Sequence, residues 1–156
     1  MRITRWSEYG ILFSIFLARR YKGAAVGASE ISDAMNVTTE YAQQILQKLR
    51  KGGIVDSVRG PKGGYKLSRQ SESINLKEII TATEGDTFDV ICENKPISDK
   101  CAENKNDCGL HSIWQDLKKS IDQFLENITL AQLAKEQILE QNLLVNIKLK
   151  ATEVCD

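Results

Sequence analysis

Histidine occurs once in the 156 residues and proline only twice. With a single imidazole, no acid–base pair stands out. No G-x-x-x-x-G-K-[ST] loop is present either, so an enzyme is not expected. Scarce proline beside 42% apolar and 27% charged residues excludes a disordered or low-complexity chain. No apolar run approaches the ~18–20 residues that a membrane span needs. The basic start, Met1 to Trp6, runs into Ser7, Glu8 and Tyr9 without a small-residue cleavage site. No signal peptide is therefore expected, and the expected compartment is the reducing cytoplasm. There, clustered cysteines more often bind metal than form disulfides. The chain is long enough to bury a core, so its four cysteines are not required as staples.

The formal net charge of zero conceals a dipolar chain. Residues 1–70 carry 12 Lys/Arg against 5 Asp/Glu, 12 − 5 = +7, and residues 71–156 carry 9 against 16, 9 − 16 = −7. That asymmetry points to an anionic partner for the first half, with nucleic acid the usual candidate. Two solvated faces that merely differ would give the same count.

Hydrophobic spacing supplies the outline. Tyr9, Leu12, Phe13, Phe16 and Leu17 recur at helical steps and predict a helix over 7–21, ended by Gly23. A short helix over 28–35 turns Ile31, Ala34 and Met35 inward. Asn36-Val37 connects it tightly to a third helix, capped by Thr38 or Thr39 and running to Lys51. That helix buries Tyr41, Ile45, Leu46 and Leu49 before Gly52-Gly53 stops it. This is a helix-turn-helix outline. Residues 54–58 and 65–67 alternate as strands around a basic turn, Arg59 to Gly64, and so predict a β-hairpin. The fold class is thus mostly α: a winged helix-turn-helix with a small hairpin wing and a long dimerisation helix. A short helix over 76–83 follows, then a loop over 85–109 without periodicity. From Leu110, a near-heptad seam of Leu110, Ile113, Trp114, Leu117, Ile121, Phe124, Leu125 and Ile128 predicts a long helix that pairs with a second copy. Thr129 and Gln132 have capping-box spacing for a last helix to about Leu144. The expected division is 1–70 for DNA binding, 71–109 for a short helix and ligand loop, and 110–156 for dimerisation and tail.

The third helix offers Thr39, Glu40, Gln43, Gln44 and Gln47 to base edges, with Lys48, Arg50 and Lys51 for phosphates. Gln pairs bidentately with adenine in the major groove, which admits an α-helix. Arg59 and Lys62 stand at the hairpin tip, where Arg59 suits a narrow minor groove. Arg2, Arg5 and Trp6 could touch the backbone. Any one of these residues could simply solvate a face; their joint placement on the post-turn helix and the hairpin favours duplex DNA.

The second constellation is Cys92-x8-Cys101-x6-Cys108-x2-His111, three thiols and the sole imidazole within twenty residues. Thiolates select zinc, copper(I) or iron–sulfur clusters, and imidazole can complete four-coordination. Ligand type alone does not separate zinc from iron–sulfur. The spacing is wider than a zinc-finger C-x2-C hook and suits a loop folding over a larger cofactor. Cys155 is expected to be a free thiol on the tail.

These residues carry a family resemblance. Val58-Arg59-Gly60-Pro61-Lys62-Gly63-Gly64-Tyr65, the stretch from Tyr41 to Lys51, and the three cysteines together resemble the dimeric winged-helix regulators that include IscR and NsrR. The likeness covers roughly residues 1–128. It implies a regulator, more often a repressor, that senses iron–sulfur status and controls cluster-biogenesis genes. The IscR-like branch implies a 2Fe–2S cluster on Cys92, Cys101, Cys108 and His111, and is preferred because the only histidine sits at the ligand position. The NsrR-like branch implies a nitric-oxide-sensing 4Fe–4S repressor, with Glu8 supplied from the other subunit as an alternative ligand. A zinc-stabilised DNA-binding protein without a sensing role is the third reading. All imply a homodimer on a pseudo-palindromic double-stranded operator, with no membrane partner.

Overall fold

Thr4 starts the first helix: its hydroxyl accepts the Trp6 N–H at 3.1 Å, and α1 runs Arg5–Ala18. In this computed structural model the described residues are 4–20, 24–86 and 109–135. The remaining elements are α2 (Ala28–Met35), α3 (Thr39–Lys51), β1 (Val55–Val58), β2 (Gly64–Leu67), a 3-10 turn (Ser71–Ser73), α4 (Leu76–Glu84), α5 (Gly109–Glu126) and α6 (Leu130–Lys135).

α1 departs from its expected register. It ends at Ala18, and Leu12 is 39% exposed while Ile15 is buried beside Phe13 and Leu17. The reason is that α1 is packed on more than one face, against α4, α6, α3 and β2. Its second buried line is small and polar, Ser7, Gly10 and Ser14. A Cβ on Gly10 would stand 2.6 Å from the Thr83 methyl, so α4 approaches this closely only because glycine is there. Ser7 and Ser14 satisfy their hydroxyls on the carbonyls of Thr4 and Gly10, at 2.9 and 2.7 Å.

The helix-turn-helix forms as its sequence predicts. Asn36 takes the left-handed conformation, φ 51° and ψ 49°, that ends α2. Thr38 caps α3 by accepting the Tyr41 N–H at 3.3 Å. Ala34 is exposed, however, and Ser32 takes the inward place next to Ile31. The Ser32 hydroxyl meets that of Thr39 at 3.1 Å, so the two helices are joined by a polar contact as well as apolar ones. α3 buries Ala42, Ile45, Leu46 and Leu49.

β1 and β2 pair antiparallel from Val55↔Leu67 to Val58↔Gly64. Their base is held from a third side. Val26 and Tyr65 exchange two backbone hydrogen bonds, each 2.8 Å. Gly64, at φ 153°, makes this possible, because a Cβ there would lie 2.2 Å from the Val26 carbonyl oxygen. α4 opens with a full capping box between Asn75 and Glu78. The same device opens α6, where Thr129 and Gln132 exchange bonds of 2.8 and 3.3 Å.

α6 returns the chain to the head. Leu130 donates its N–H to Ile74 and joins Phe13, Ile45, Leu46, Leu49, Ile54 and Ile79 in one core. The long helix α5 between them buries none of its residues. It is fastened to α4 by Lys77, which reaches Glu126 at 2.7 Å and Asp122 at 3.3 Å. Most of its seam stays in water, with Ile113 62% and Phe124 68% exposed, while Ile121, Leu125 and Ile128 are half-buried. Among the described residues no helix is long and apolar enough to cross a membrane.

Candidate nucleic-acid interface and metal ligands

Four buried positions fix the inner face of α3, and this decides what remains outside. Glu40, Gln43, Gln44, Gln47, Arg50 and Lys51 are exposed, spaced so that they share the outer side of the helix. Two of the expected contact residues are placed differently. Thr39 is half-buried against Ser32. Lys48 is half-buried too: its Nζ donates to the Thr83 carbonyl of α4 at 2.6 Å and lies 4.6 Å from the Trp6 ring centroid. Its position between Ile45 and Leu49 puts its root at the edge of the buried face, and its long stem carries the ammonium across to α4.

Trp6 is likewise half-buried and engaged within the head. It packs on Tyr41 at 5.2 Å between centroids, and Tyr9 meets Tyr41 edge-on at 5.6 Å. Burial raises the Tyr41 pKa; Tyr9, Glu84 and Glu8 add to the rise and Arg5 opposes it. Arg5 is exposed, and Arg2 lies outside the described residues.

The wing is braced directly on the end of α3. Ile54 donates its N–H to Leu49 at 2.9 Å, and the Gly53 carbonyl accepts from Ser68 Oγ at 2.5 Å and from Arg69 at 2.9 Å. Arg69 also pairs with Glu78 of α4. Beyond this root, Arg59 and Lys62 are exposed at the tip, which Gly63 closes by donating to the Gly60 carbonyl at 2.8 Å. Sequence reasoning missed Arg69 as a brace, because a charge count treats all cations alike. Four of the twelve basic residues in the first half have partners within the chain: Arg19 with Ala134, Arg20 with Glu30, Lys48 with Thr83 and Arg69 with Gly53. These four keep their charge, but each is held by a partner within the chain and is less free to swing to a phosphate.

Of the soft-donor set, Cys92, Cys101 and Cys108 lie outside the described residues, as do Cys155 and the expected helix beyond Lys135. His111 stands in the first turn of α5, with its Nε2 shielded from solvent. Glu8, the alternative ligand, is exposed in the first turn of α1. Among the described residues no group of three or more His, Cys, Asp or Glu side chains comes together as a metal site.

Comparison with known proteins agrees with this architecture. The model of the Rrf2 family, described as an iron-dependent transcriptional regulator, matches residues 3–136. The HTH-type transcriptional regulator IscR of Yersinia pestis is 36% identical over 141 residues, covering 90% of this chain and 84% of its own. Among solved structures, T. potens IscR superposes with a TM-score of 0.65 at 28% identity, over 93% of this chain and 96% of that one. CymR, the global cysteine regulator of B. subtilis, does so with a TM-score of 0.65 at 25% identity, over 86% and 96%.

Proposed function

Because this chain belongs to the Rrf2 family of transcriptional regulators, we propose that it is an IscR-like repressor whose grip on DNA is set by an iron–sulfur cluster. The observation that carries the reading is the pairing of an exposed Gln-rich face on α3 with a basic tip braced on the same helix. Gln43, Gln44 and Gln47 read base edges, with Thr39 and Glu40 at the entry of the helix. Arg50, Lys51, Arg59 and Lys62 neutralise phosphates or enter the minor groove. Residues 1–70 form the reading head, 71–109 the short helix and ligand segment, and 110–156 the pairing helix and tail.

The apolar seam of α5 joins two copies, so that two heads face successive major grooves, about 34 Å apart, on a pseudo-palindrome. Cys92, Cys101, Cys108 and His111 would hold a 2Fe–2S cluster. Three thiolates and one imidazole are a donor set that fits such a cluster, and His111 would be supplied to it from the first turn of α5. When bound, the cluster supplies a redox- and iron-sensitive bond network; the chain supplies its coupling to DNA. α4 is the link, since it packs on α1, α3 and α5 at once. A displacement of an ångström or two there misaligns a rigid reader, and linkage of roughly 1–3 kcal/mol follows in both directions. The genes controlled are those of cluster assembly, and the protein works in the cytoplasm.

The exposure of Glu8 leaves it accessible for a second reading, a 4Fe–4S cluster completed by this carboxylate from the partner copy in a nitric-oxide sensor. Zinc on the same donors gives a colourless, non-sensing protein. One experiment separates them: an anaerobic absorption spectrum with iron and sulfide counts, repeated on Cys92→Ala, His111→Ala and Glu8→Ala. Two irons and two sulfides per chain, lost with Cys92 and His111 and kept without Glu8, support the reading. An iron-free protein from iron-replete cells, binding its DNA identically without the three thiols, ends it.

A further inference from the structure

The last turn of α4 is a junction. Its Thr83 carbonyl accepts the Lys48 ammonium of α3 at 2.6 Å. Its Glu84 carboxylate accepts the Thr4 hydroxyl and, at 3.2 Å, the Ser7 N–H, and so caps α1 from outside. Thr83 is 1% exposed and is pressed into the notch left by Gly10. On the other side of Lys48 stands Trp6, itself packed at a tilt on Tyr41 in the first turn of α3.

We propose that Lys48 is a positioning residue for DNA recognition and not a phosphate contact: clamped between the Trp6 ring and the Thr83 carbonyl, it sets how α3 lies against α4. The proposal rests on reading α3 as the groove helix. Three physical terms hold the ammonium in place. The carbonyls ending a helix lack intrahelical partners, and Lys48 satisfies one of them. The negative end of the α4 dipole attracts its charge. The indole face adds a cation–π contact. Reaching a phosphate would forfeit all three and leave the Thr83 oxygen without this donor. Exposed Arg50 and Lys51 sit on the outer side of the same helix and can meet the duplex at no such cost.

The test begins with the wild-type protein, using reductive methylation read by peptide mass. The probe is a duplex selected from a random pool by that protein. Without DNA, Lys48 should react much more slowly than Lys51 and Lys62. Adding duplex should protect Lys51 and Lys62 and leave Lys48 unchanged. Equal reactivity of Lys48 and Lys51 in the free protein overturns the clamp, as does protection of Lys48 in step with Lys51. Absence of protection at Lys51 and Lys62 counts against the groove reading instead, while the DNA-free rate of Lys48 still decides the clamp.

Variants supply the energetic arm. Lys48→Met should lose affinity about tenfold at every salt concentration, with the slope of log K against log salt unchanged. Lys48→Arg, which can still donate to the carbonyl and stack on the indole, should restore it, a rescue that a general loss of folding would not give. Arg50→Met should lower the slope by about one phosphate. A slope for Lys48→Met that falls as far as that of Arg50→Met refutes the proposal. If Lys48→Met does not fold, the methylation rates stand alone as the decisive measurement.

Discussion

Truncating Phe124 to alanine should separate the paired heads while leaving each fold intact. The ring leaves 68% of its surface in water, roughly 140 Å² of the ~200 Å² that a Phe can bury. Covering that area at ~25 cal/mol per Å² contributes about 3 kcal/mol. Alanine keeps its Cβ, so the truncation removes about 2 kcal/mol per protomer. A two-fold interface contains the ring twice, giving about 4 kcal/mol and a rise of ~10³ in the dimer Kd. Sedimentation velocity over a concentration series measures this directly. Lys119→Ala, an exposed polar change on the same helix, is the control, and far-UV dichroism should show helix content retained because α5 buries no side chain. DNA affinity should fall steeply for a two-half-site operator and little for a single half-site. A Phe124→Ala protein that dissociates at the wild-type concentration would refute the assignment of this seam to the interface.

Gln43→Ala or Gln44→Ala should flatten base preference at one operator position by roughly 1–3 kcal/mol, read by binding to single-base operator variants. Arg59→Ala should weaken binding to all duplexes and reduce the salt slope by about one; an unchanged operator profile in all three variants would exclude this docking. Gly64→Ala should destabilise the head by roughly 3 kcal/mol in urea, since a Cβ would meet the Val26 carbonyl at 2.2 Å on a backbone at φ 153°. A shift below a few tenths would mean that the wing root relaxes freely. The hydrogen bond to Glu126 raises the Lys77 pKa above its ordinary 10.5; burial opposes it, and the hydrogen bond to Asp122 adds to the rise. Raised in the fold, this group contributes its stability fully below the unfolded value and loses it as pH climbs through the folded one. The difference in denaturant midpoint between wild type and Lys77→Met should thus hold through neutral pH and shrink only above about 10.5; shrinkage already at neutral pH would contradict this.

Short-range chemistry was legible in advance. The caps at Thr38 and Thr129, the stop at Gly52-Gly53, the α3 face of Ile45, Leu46 and Leu49, and the hairpin around Arg59 each depend on residues a few positions apart. So does the type of the soft-donor set, because thiol and imidazole chemistry belongs to residue identity. The α1 stripe was legible only in part. Periodicity finds one apolar face, and Ser7, Gly10 and Ser14 carry no apolar signal although α4 packs on them.

What an amino-acid string decides unaided is which segments can be helix, turn or hairpin, and which side chains carry donors of a kind suited to a duplex or a metal. The division of labour among like residues was left to the fold. Lys48 and Arg69 hold helix ends and the wing root while Arg50 and Lys51 face water, and Phe124 of the α5 seam is exposed while Leu130, only a turn or two further along, is buried. Both outcomes depend on which surfaces other elements cover. That is a property of contacts between residues tens of positions apart, to which composition and local spacing are blind.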